Sequence, residues 1–569
     1  VRFVLQLSQP AAPGAPPTLT LHVDGRLVEV PDDGSSLLEV LRQHLGHRSP
    51  KDGCSPQGQC GCCTVWVDGA ARVACVTPAR RVTGRKVTTL DGLDPALRDA
   101  WAEAFTAVGA SQCGFCTPGI VMRLAALGAR PGPEGRPGPP DRGDVERALL
   151  AHLCRCTGWR TIIEAAELVY GTADPGASPT TPSPAAATAP ASGARRRDMA
   201  AAARRATLEG GSPQVVGPDV ACGRGGFAED TAPADALVAV PDGAGGWALG
   251  PSLGAARALA HRVPGRNSTV GLRHPVEVPP GEWALVLQTT FVEPAYLEPD
   301  ASWCVPGGEP ASPLANGGAF GGKRSTPVAA AARRLADEHG RPVRVVLSRE
   351  DVVRLGPKRP PVAAGVRPDG SGVLRVARTP GSAPLEGWAR MARSAAAGLE
   401  VEEVAVAGPP VSGDLRAGGW AEAAVLMAAL EAMTAGPVGP DLPVTVRSPA
   451  GAVATATVAT SGTVRVAVSA GEVLDEVVLW SYVVGAAHQA LGWVRSEGVA
   501  VDGDGTVLDL TVRSFGILAA RAMPSVEVVV RDDGGPPVPV GDTVFAVVAA
   551  AAWLAAGLPP RWPADPGGT

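Results

Sequence analysis

Nine of the eleven cysteines in this 569-residue chain fall into two spaced groups, and a backbone that carries such groups must fold around them. The first runs Cys54-x5-Cys60-x2-Cys63-x11-Cys75, in a segment where Gly53, Gly58 and Gly61 permit tight turns, with Cys62 as an extra sulfur. The second is Cys113-x2-Cys116 and, further on, Cys154-x1-Cys156. The first residues show no charged stretch followed by an apolar core, so a reducing, cytoplasmic location is expected. There, thiols stay free for metal ligation instead of pairing as disulfides.

Spacing then narrows the chemistry. A [2Fe–2S] cluster of the plant type needs four thiolates and a loop that wraps it with backbone N–H groups facing the sulfides, which the first group provides. Its first gap holds five residues where the usual pattern has four, so one residue must bulge, and Cys62 is expected to point away. In the second group the Cys-x-Cys pair is closer than structural zinc prefers, which leaves two zinc sites as the weaker alternative and a disulfide framework weaker still. The expected ligands are therefore Cys54, Cys60, Cys63 and Cys75 for one cluster, and Cys113, Cys116, Cys154 and Cys156 for the other.

The flanking patterns predict an α+β multidomain chain. Thr18–Val23 and Arg26–Val30 alternate about Asp24-Gly25, and Thr64–Val67 and Arg72–Val76 about Asp68-Gly69, with a helical stripe at Leu37, Leu38, Leu41 and Leu45 between them. Residues 18–95 thus read as a ferredoxin-like β-grasp domain. Residues 96–171 read as a four-helix domain with stretches near 96–108, 118–128, 143–152 and 161–170. Residues 172–197, rich in Pro, Ala, Ser and Thr, read as a linker whose Arg195–Arg197 end is solvated. The remainder, 198–569, mixes short strands and Ala-rich helices and is expected to be α/β.

Charge and motif content exclude several classes. Fifty-one basic residues are scattered and outweighed by 56 acidic ones, so no nucleic-acid surface is expected. The apolar run Thr543–Leu558 falls short of a membrane span. No GxGxxG follows a strand and no phosphate loop occurs, so no FAD domain is expected in this chain, and electrons would leave to a flavoprotein or another outside acceptor.

Together GCSPQGQCGCCTVWVDG (Gly53–Gly69), SQCGFCTPGIVM (Ser111–Met122) and HLCRCTGWRTI (His152–Ile162) resemble the two-cluster iron–sulfur subunit of the xanthine dehydrogenase and aldehyde oxidase family, the molybdenum hydroxylases, over about residues 18–170. The resemblance implies that the cluster of the helical domain faces a molybdopterin, with Gln112 near that interface, and that the other cluster passes electrons outward. Further on, AYLEP (Ala295–Pro299), GGAFGGK (Gly317–Lys323), LRAGG (Leu415–Gly419), HQALGW (His488–Trp493) and ARAMPSVEV (Ala520–Val528) resemble, in order, the family's molybdopterin-binding subunit in a shortened, divergent form. That likeness implies that Phe320 and Gly321 sit beside the metal's oxo ligand; a tight turn before a helix is the other reading of the same residues.

Three departures count against an intact active site. The stretch between AYLEP and GGAFGGK is short, a Gly-Gln-Gly segment is missing, and the catalytic Glu implied by the family has Asp542 as its nearest counterpart. Asp542 is either a base acting on metal-bound water or a helix N-cap, with the cap favoured. Glu298 and Arg416 read as structural, Cys222 and Cys304 as buried thiols, and His488 as surface or core filling. Two functions follow. One is an oxidoreductase relaying electrons through both clusters between a molybdopterin site and an acceptor. The other is a non-catalytic relay or docking subunit that has lost the molybdopterin and pairs with a separate catalytic subunit.

Overall fold

The computed structural model describes residues 17–129, 138–172, 197–260, 271–314, 316–382 and 386–564. The linker assigned to 172–197 lies almost wholly outside the described residues. At the N-terminal end, β1 (Thr18–Val23) and β2 (Arg26–Pro31) form a hairpin closed by Asp24 and Gly25, and β3 (Thr64–Val67) and β4 (Ala70–Val73) form another closed by Asp68 and Gly69. All four turn residues have positive φ, as a two-residue hairpin loop requires. Strand β5 (Lys86–Thr88) pairs parallel to β1 and antiparallel to β3, which gives the order β2-β1-β5-β3-β4 of a ferredoxin-like sheet. A short helix, α1 (Leu37–Glu39), opens on a Ser36/Glu39 capping box and continues as a π-helical turn at Val40–His44, the two burying Leu37, Leu38 and Leu41 against this sheet's core.

Four helices follow: α2 (Pro95–Ala107), α3 (Thr117–Gly128), α4 (Arg142–Ala148) and α5 (Arg160–Tyr170). Trp101, Phe105, Ile120, Ile162 and Ile163 form their apolar centre. Helix α4 stops four residues earlier than the periodicity implies, because the chain tightens into a 3₁₀ turn at Leu149–Ala151. That turn frees residues 152–159 to form a loop.

Beyond residue 197 the strands sort into three four-stranded sheets, each with parallel and antiparallel pairs. The region expected as α/β is therefore a set of mixed sheets. Helix α6 (Met199–Gly210) leads in, and α7 (Trp420–Ala435), α8 (Glu476–Arg495) and α9 (Gly541–Ala555) form the centre. Helices α8 and α9 are apolar on every face because every face is covered. By length and composition α8 could cross a membrane; here 94% of its apolar window is buried inside the protein. Trp493 of α8 stacks on Phe545 of α9 at 5.1 Å, and Trp562 packs edge-on against Trp493 and Trp553.

Buried polar contacts fix the cysteine-bearing part on the rest. Arg42 pairs with Asp230 and Glu229, and Lys51 pairs with Asp230 and donates to Gly223 O. Arg349 donates to Gly53 O and Leu297 O, both at 2.8 Å. Gln57 Nε2 donates to Leu510 O, and Gln57 Oε1 accepts from Val512 N. Arg197, expected as solvated, instead forks onto Asp475 at 2.6 Å and donates to Thr106 O, because the start of α6 lies against α2 and α8.

Candidate functional site

The structure gathers the eight predicted sulfurs into two groups of four. Cys54 Sγ faces those of Cys60 and Cys75, and Cys75 also faces Cys63. In the second group Cys113 Sγ and Cys156 Sγ are 3.7 Å apart, and Cys116 is in contact with Cys154. Backbone N–H groups point at the sulfurs: Gln57 N to Cys54 Sγ at 3.2 Å and Cys75 N to Cys63 Sγ at 3.4 Å. Hydrogen bonds from Cys60 and Cys75, and then from backbone, hold the Cys54 thiol well below its ordinary range in spite of burial. Contact with Cys116, helped by Thr157, brings Cys154 down to about 6. The same contacts push the Cys60, Cys75, Cys116 and Cys156 thiols the opposite way.

Cys62 is a correction. It is fully buried with its Sγ beside Cys60, both sulfurs crowding Gly53. The two groups also touch through the chain itself. Leu153 N–H donates to Cys60 O at 3.0 Å, and His152 Nε2 lies 3.2 Å from Thr64 Oγ1. From the other side α8 presses its backbone onto the Cys156 loop at Gly485, where a Cβ would stand 1.8 Å from Cys156 O.

Cys113, Cys116 and Cys156 form one wall of a cavity of about 470 Å³. Its other walls include Gln112, Phe320, Gly321 and Asp542, so every cofactor-side and catalytic residue expected from sequence reaches this one space. Gln112 Nε2 bridges Cys156 O and Ser481 Oγ, each at 3.0 Å. Phe320 lies on a left-handed turn with φ 58° and ψ 29°. Gly321 passes so close to Asp414 that a Cβ would fall 1.9 Å from its carbonyl oxygen. Asn316, Ala319, Arg416 and Ala417 also have positive φ and line the cavity. Non-glycine residues held in this region cluster where a chain shapes a ligand site.

Comparison with known proteins follows the same division. Residues 89–167 match the model of a [2Fe-2S] binding domain, and residues 313–369 that of a molybdopterin cofactor-binding domain. Over 131 residues the chain is 40% identical to the xanthine dehydrogenase iron-sulfur-binding subunit of Escherichia coli O157:H7, covering 23% of this chain and 79% of that protein. Over 148 residues it is 38% identical to the nicotine 6-hydroxylase small subunit of Paenarthrobacter nicotinovorans, covering 26% of this chain and 86% of that one.

The chain belongs to the molybdenum hydroxylase family.

It joins a [2Fe–2S] domain and a molybdopterin-binding domain in one polypeptide. Of the xanthine dehydrogenase of Blastobotrys adeninivorans, 37% identical over 161 residues, it matches only 11% of the length. In fold it is similar to the aldehyde oxidoreductase from Desulfovibrio desulfuricans, with TM-score 0.64 at 16% identity over 96% of this chain and 99% of that one.

Within this member of the family the remaining expected residues are rearranged. Asp542 is not an N-cap: α9 begins at Gly541 with Val540 already helical, and Asp542 lies in the first turn, half-exposed, with Oδ1 3.8 Å from Arg416 Nη1. The helix start is satisfied instead by Glu209, whose carboxylate accepts from Val540 N and Gly541 N at 3.0–3.2 Å and pairs with Arg205 at 2.6 Å. Burial raises the Glu209 pKa in spite of these partners. Sequence reading passed over Glu209; the Arg205–Glu209 spacing on one helix face was its only trace.

Glu298 and Arg416, read as structural, both face the cavity. Glu298 Oε2 accepts from Lys323 at 2.6 Å while its Oε1 is buried without a partner, and burial pushes its pKa up to about 7. His488 is wholly buried with Nε2 3.0 Å from Leu518 O, and Cys222 and Cys304 are buried. Arg155, between Cys154 and Cys156, forks onto the buried carboxylate of Glu497, with Nη2 2.6 Å from Oε2.

Proposed function

We propose that this chain carries two [2Fe–2S] clusters and passes electrons between a molybdopterin in the cavity and an external acceptor, such as a flavoprotein. Cys54, Cys60, Cys63 and Cys75 hold the outer cluster; Cys113, Cys116, Cys154 and Cys156 hold the inner one. The observation that carries this reading is the shared wall: three inner-cluster cysteines bound the same cavity as the Gly317–Lys323 loop.

The donor sets fit the groups assigned to them. Each cysteine group brings four sulfurs together, the number that two irons with two thiolates each require. The cavity offers an orphaned buried oxygen, Glu298 Oε1, to the N–H groups of a pterin, and a glycine loop that lets the main chain approach. When bound, the molybdenum centre supplies two-electron oxidation of a substrate with transfer of a water-derived oxygen. The chain's own residues do the rest. Gln112 and the Arg155–Glu497 pair fix the Cys154–Cys156 loop against α8, Lys323 orients Glu298, and Leu153 N–H on Cys60 O joins the two cluster loops. A reducing cytoplasm, where thiols stay available for ligation, is the compartment this reading calls for.

The relay-subunit reading is supported by one observation, the half-exposed position of Asp542, which leaves the base position unshielded from water. Against it stands the burial of the cysteine loops on their own chain through Arg349, Gln57 and Arg155. Anaerobic purification followed by dithionite reduction tests the proposal. Two distinct S = 1/2 signals are expected, and Cys113→Ser should remove one. Loss of both would refute the partition of ligands, and an iron-free protein would refute the function. Stoichiometric molybdenum and pterin are the expected contents; clusters without them would establish the relay reading.

A further inference from the structure

On the cavity wall Arg416 is a largely buried cation whose charge is poorly matched. While Arg349 meets backbone carbonyls, several other buried guanidinium groups meet carboxylates at hydrogen-bonding distance, Arg155 with Glu497 and Arg205 with Glu209 at 2.6 Å and Arg359 with Glu422 at 2.8 Å. Arg416 does not. Its Nε donates to the uncharged Oε1 of Gln489 at 2.8 Å, and its closest carboxylate oxygen, Asp542 Oδ1, is 3.8 Å from Nη1, beyond hydrogen-bonding reach. The guanidinium is covered on one face by the Phe320 ring at 4.9 Å and is only 12% exposed.

Its placement is fixed by the backbone. Arg416 and Ala417 both have positive φ, and Arg416 N–H donates to Phe320 O at 3.1 Å, so the side chain is carried on the cavity wall itself. Of the other charged groups on this wall, Glu298 pairs with Lys323, Glu209 and Arg155 pair with Arg205 and Glu497 behind it, and Arg324 is exposed. Asp414 and Asp542 are the carboxylates that stay open to solvent. Burial works against the charged form of Arg416, and the pull of Asp542 makes up only part of that loss. A desolvated guanidinium with free N–H donors is a fork for a planar or tetrahedral oxyanion.

We propose that Arg416 anchors an oxyanion of the cavity's ligand, a carboxylate or phosphate group, and that Asp542 yields its place beside the guanidinium when that group enters. This rests on the cavity being the cofactor and substrate site. Two sources share the chemistry: the phosphate of the pterin and a carboxylate on the substrate.

Calorimetry on the purified full chain, with benzoate, the neutral benzamide and inorganic phosphate as probes, distinguishes them. With a substrate carboxylate as the source, benzoate binds at least about tenfold tighter than benzamide, and Arg416→Gln weakens benzoate about ten- to a hundredfold while leaving benzamide and pterin content unchanged. With the cofactor phosphate as the source, Arg416→Gln lowers pterin content, and phosphate binds pterin-free wild type but not the variant. Asp542→Asn removes the competing carboxylate and should tighten benzoate or phosphate severalfold, a change that a merely structural Arg416 would not give. Retention of both pterin content and probe affinity in Arg416→Gln overturns the proposal. Should that variant misfold, absence of tightening in Asp542→Asn overturns it. Iron content and the two S = 1/2 signals are followed in parallel, so failure of the cluster assignment remains distinguishable from failure at Arg416.

Discussion

Replacing Glu497 by Gln should be among the most damaging single changes in this chain, although the residue is remote in sequence from both cysteine groups. Glu497 and Arg155 are both buried, 2% and 5% exposed, and the guanidinium forks onto the carboxylate. Removing the negative partner leaves a cation in the interior whose remaining protein acceptor is Pro294 O at 3.1 Å. Breaking a buried pair from one side costs about 3–5 kcal/mol, whereas replacing both members by apolar groups of similar size is often close to neutral. Glu497→Gln should therefore lower stability by about that amount, read from the urea midpoint at unchanged slope. Arg155→Met with Glu497→Leu should recover to within about 1 kcal/mol of wild type. Because Arg155 lies between Cys154 and Cys156, the uncompensated charge should also raise the reduction potential of the inner cluster and leave the outer one unchanged. A single-variant loss below about 1 kcal/mol, or a double variant as unstable as the sum of its parts, would refute the reasoning.

Three other outcomes are expected. Glu298 has its folded pKa raised from 4.5 to about 7, so it favours the protonated folded state; its contribution is complete below about pH 4.5 and is lost as pH rises through 7, about 3 kcal/mol in all. Glu298→Gln should flatten that part of the stability–pH curve, and an unchanged curve would count against the buried placement. Gly485→Ala gains up to about 1 kcal/mol in helix propensity but drives a Cβ into Cys156 O; overpacking against backbone costs about 1–3 kcal/mol or more, so net destabilisation and a distorted inner-cluster EPR signal are expected. Glu209→Ala should cost about 3 kcal/mol or more in thermal or urea unfolding because it strands buried Arg205, while Asp542→Ala should change stability by less than about 1 kcal/mol; the reverse order would restore Asp542 as the cap.

What the sequence made legible was what is local. Hairpin turns at Asp24-Gly25 and Asp68-Gly69, the helical stretches and the cysteine spacings each depend on residues a few positions apart, and each has its counterpart in the structure. Gln112, Phe320, Gly321 and Asp542 could be named as candidates from short segments, but their convergence on one cavity is a property of the fold. Carboxylates that complete buried pairs across the chain left no such trace. Glu497 meets Arg155 over 342 positions, and Glu209 meets Gly541 over 332. The Asp542 cap was misplaced because the helix starts two residues earlier, at Gly541 with Val540 in the cap position, which leaves Asp542 inside the first turn. Cys62 was misplaced because its sulfur packs beside Cys60 and Gly53, a tertiary contact that spacing does not reveal.

The five left-handed residues around the cavity, Asn316, Ala319, Phe320, Arg416 and Ala417, have a thermal consequence. Each non-glycine residue held there stores about 1–2 kcal/mol of conformational energy, least for Asn316, and the sum is a standing tension that the packed helices beneath must contain. On warming, this rim should slacken ahead of the Trp493–Phe545 core, and its amides should exchange with solvent while those of α8 and α9 are still protected. A pocket held open in this way depends on the rigidity of its foundation, so lesions deep in α8 or α9 would reshape it from a distance.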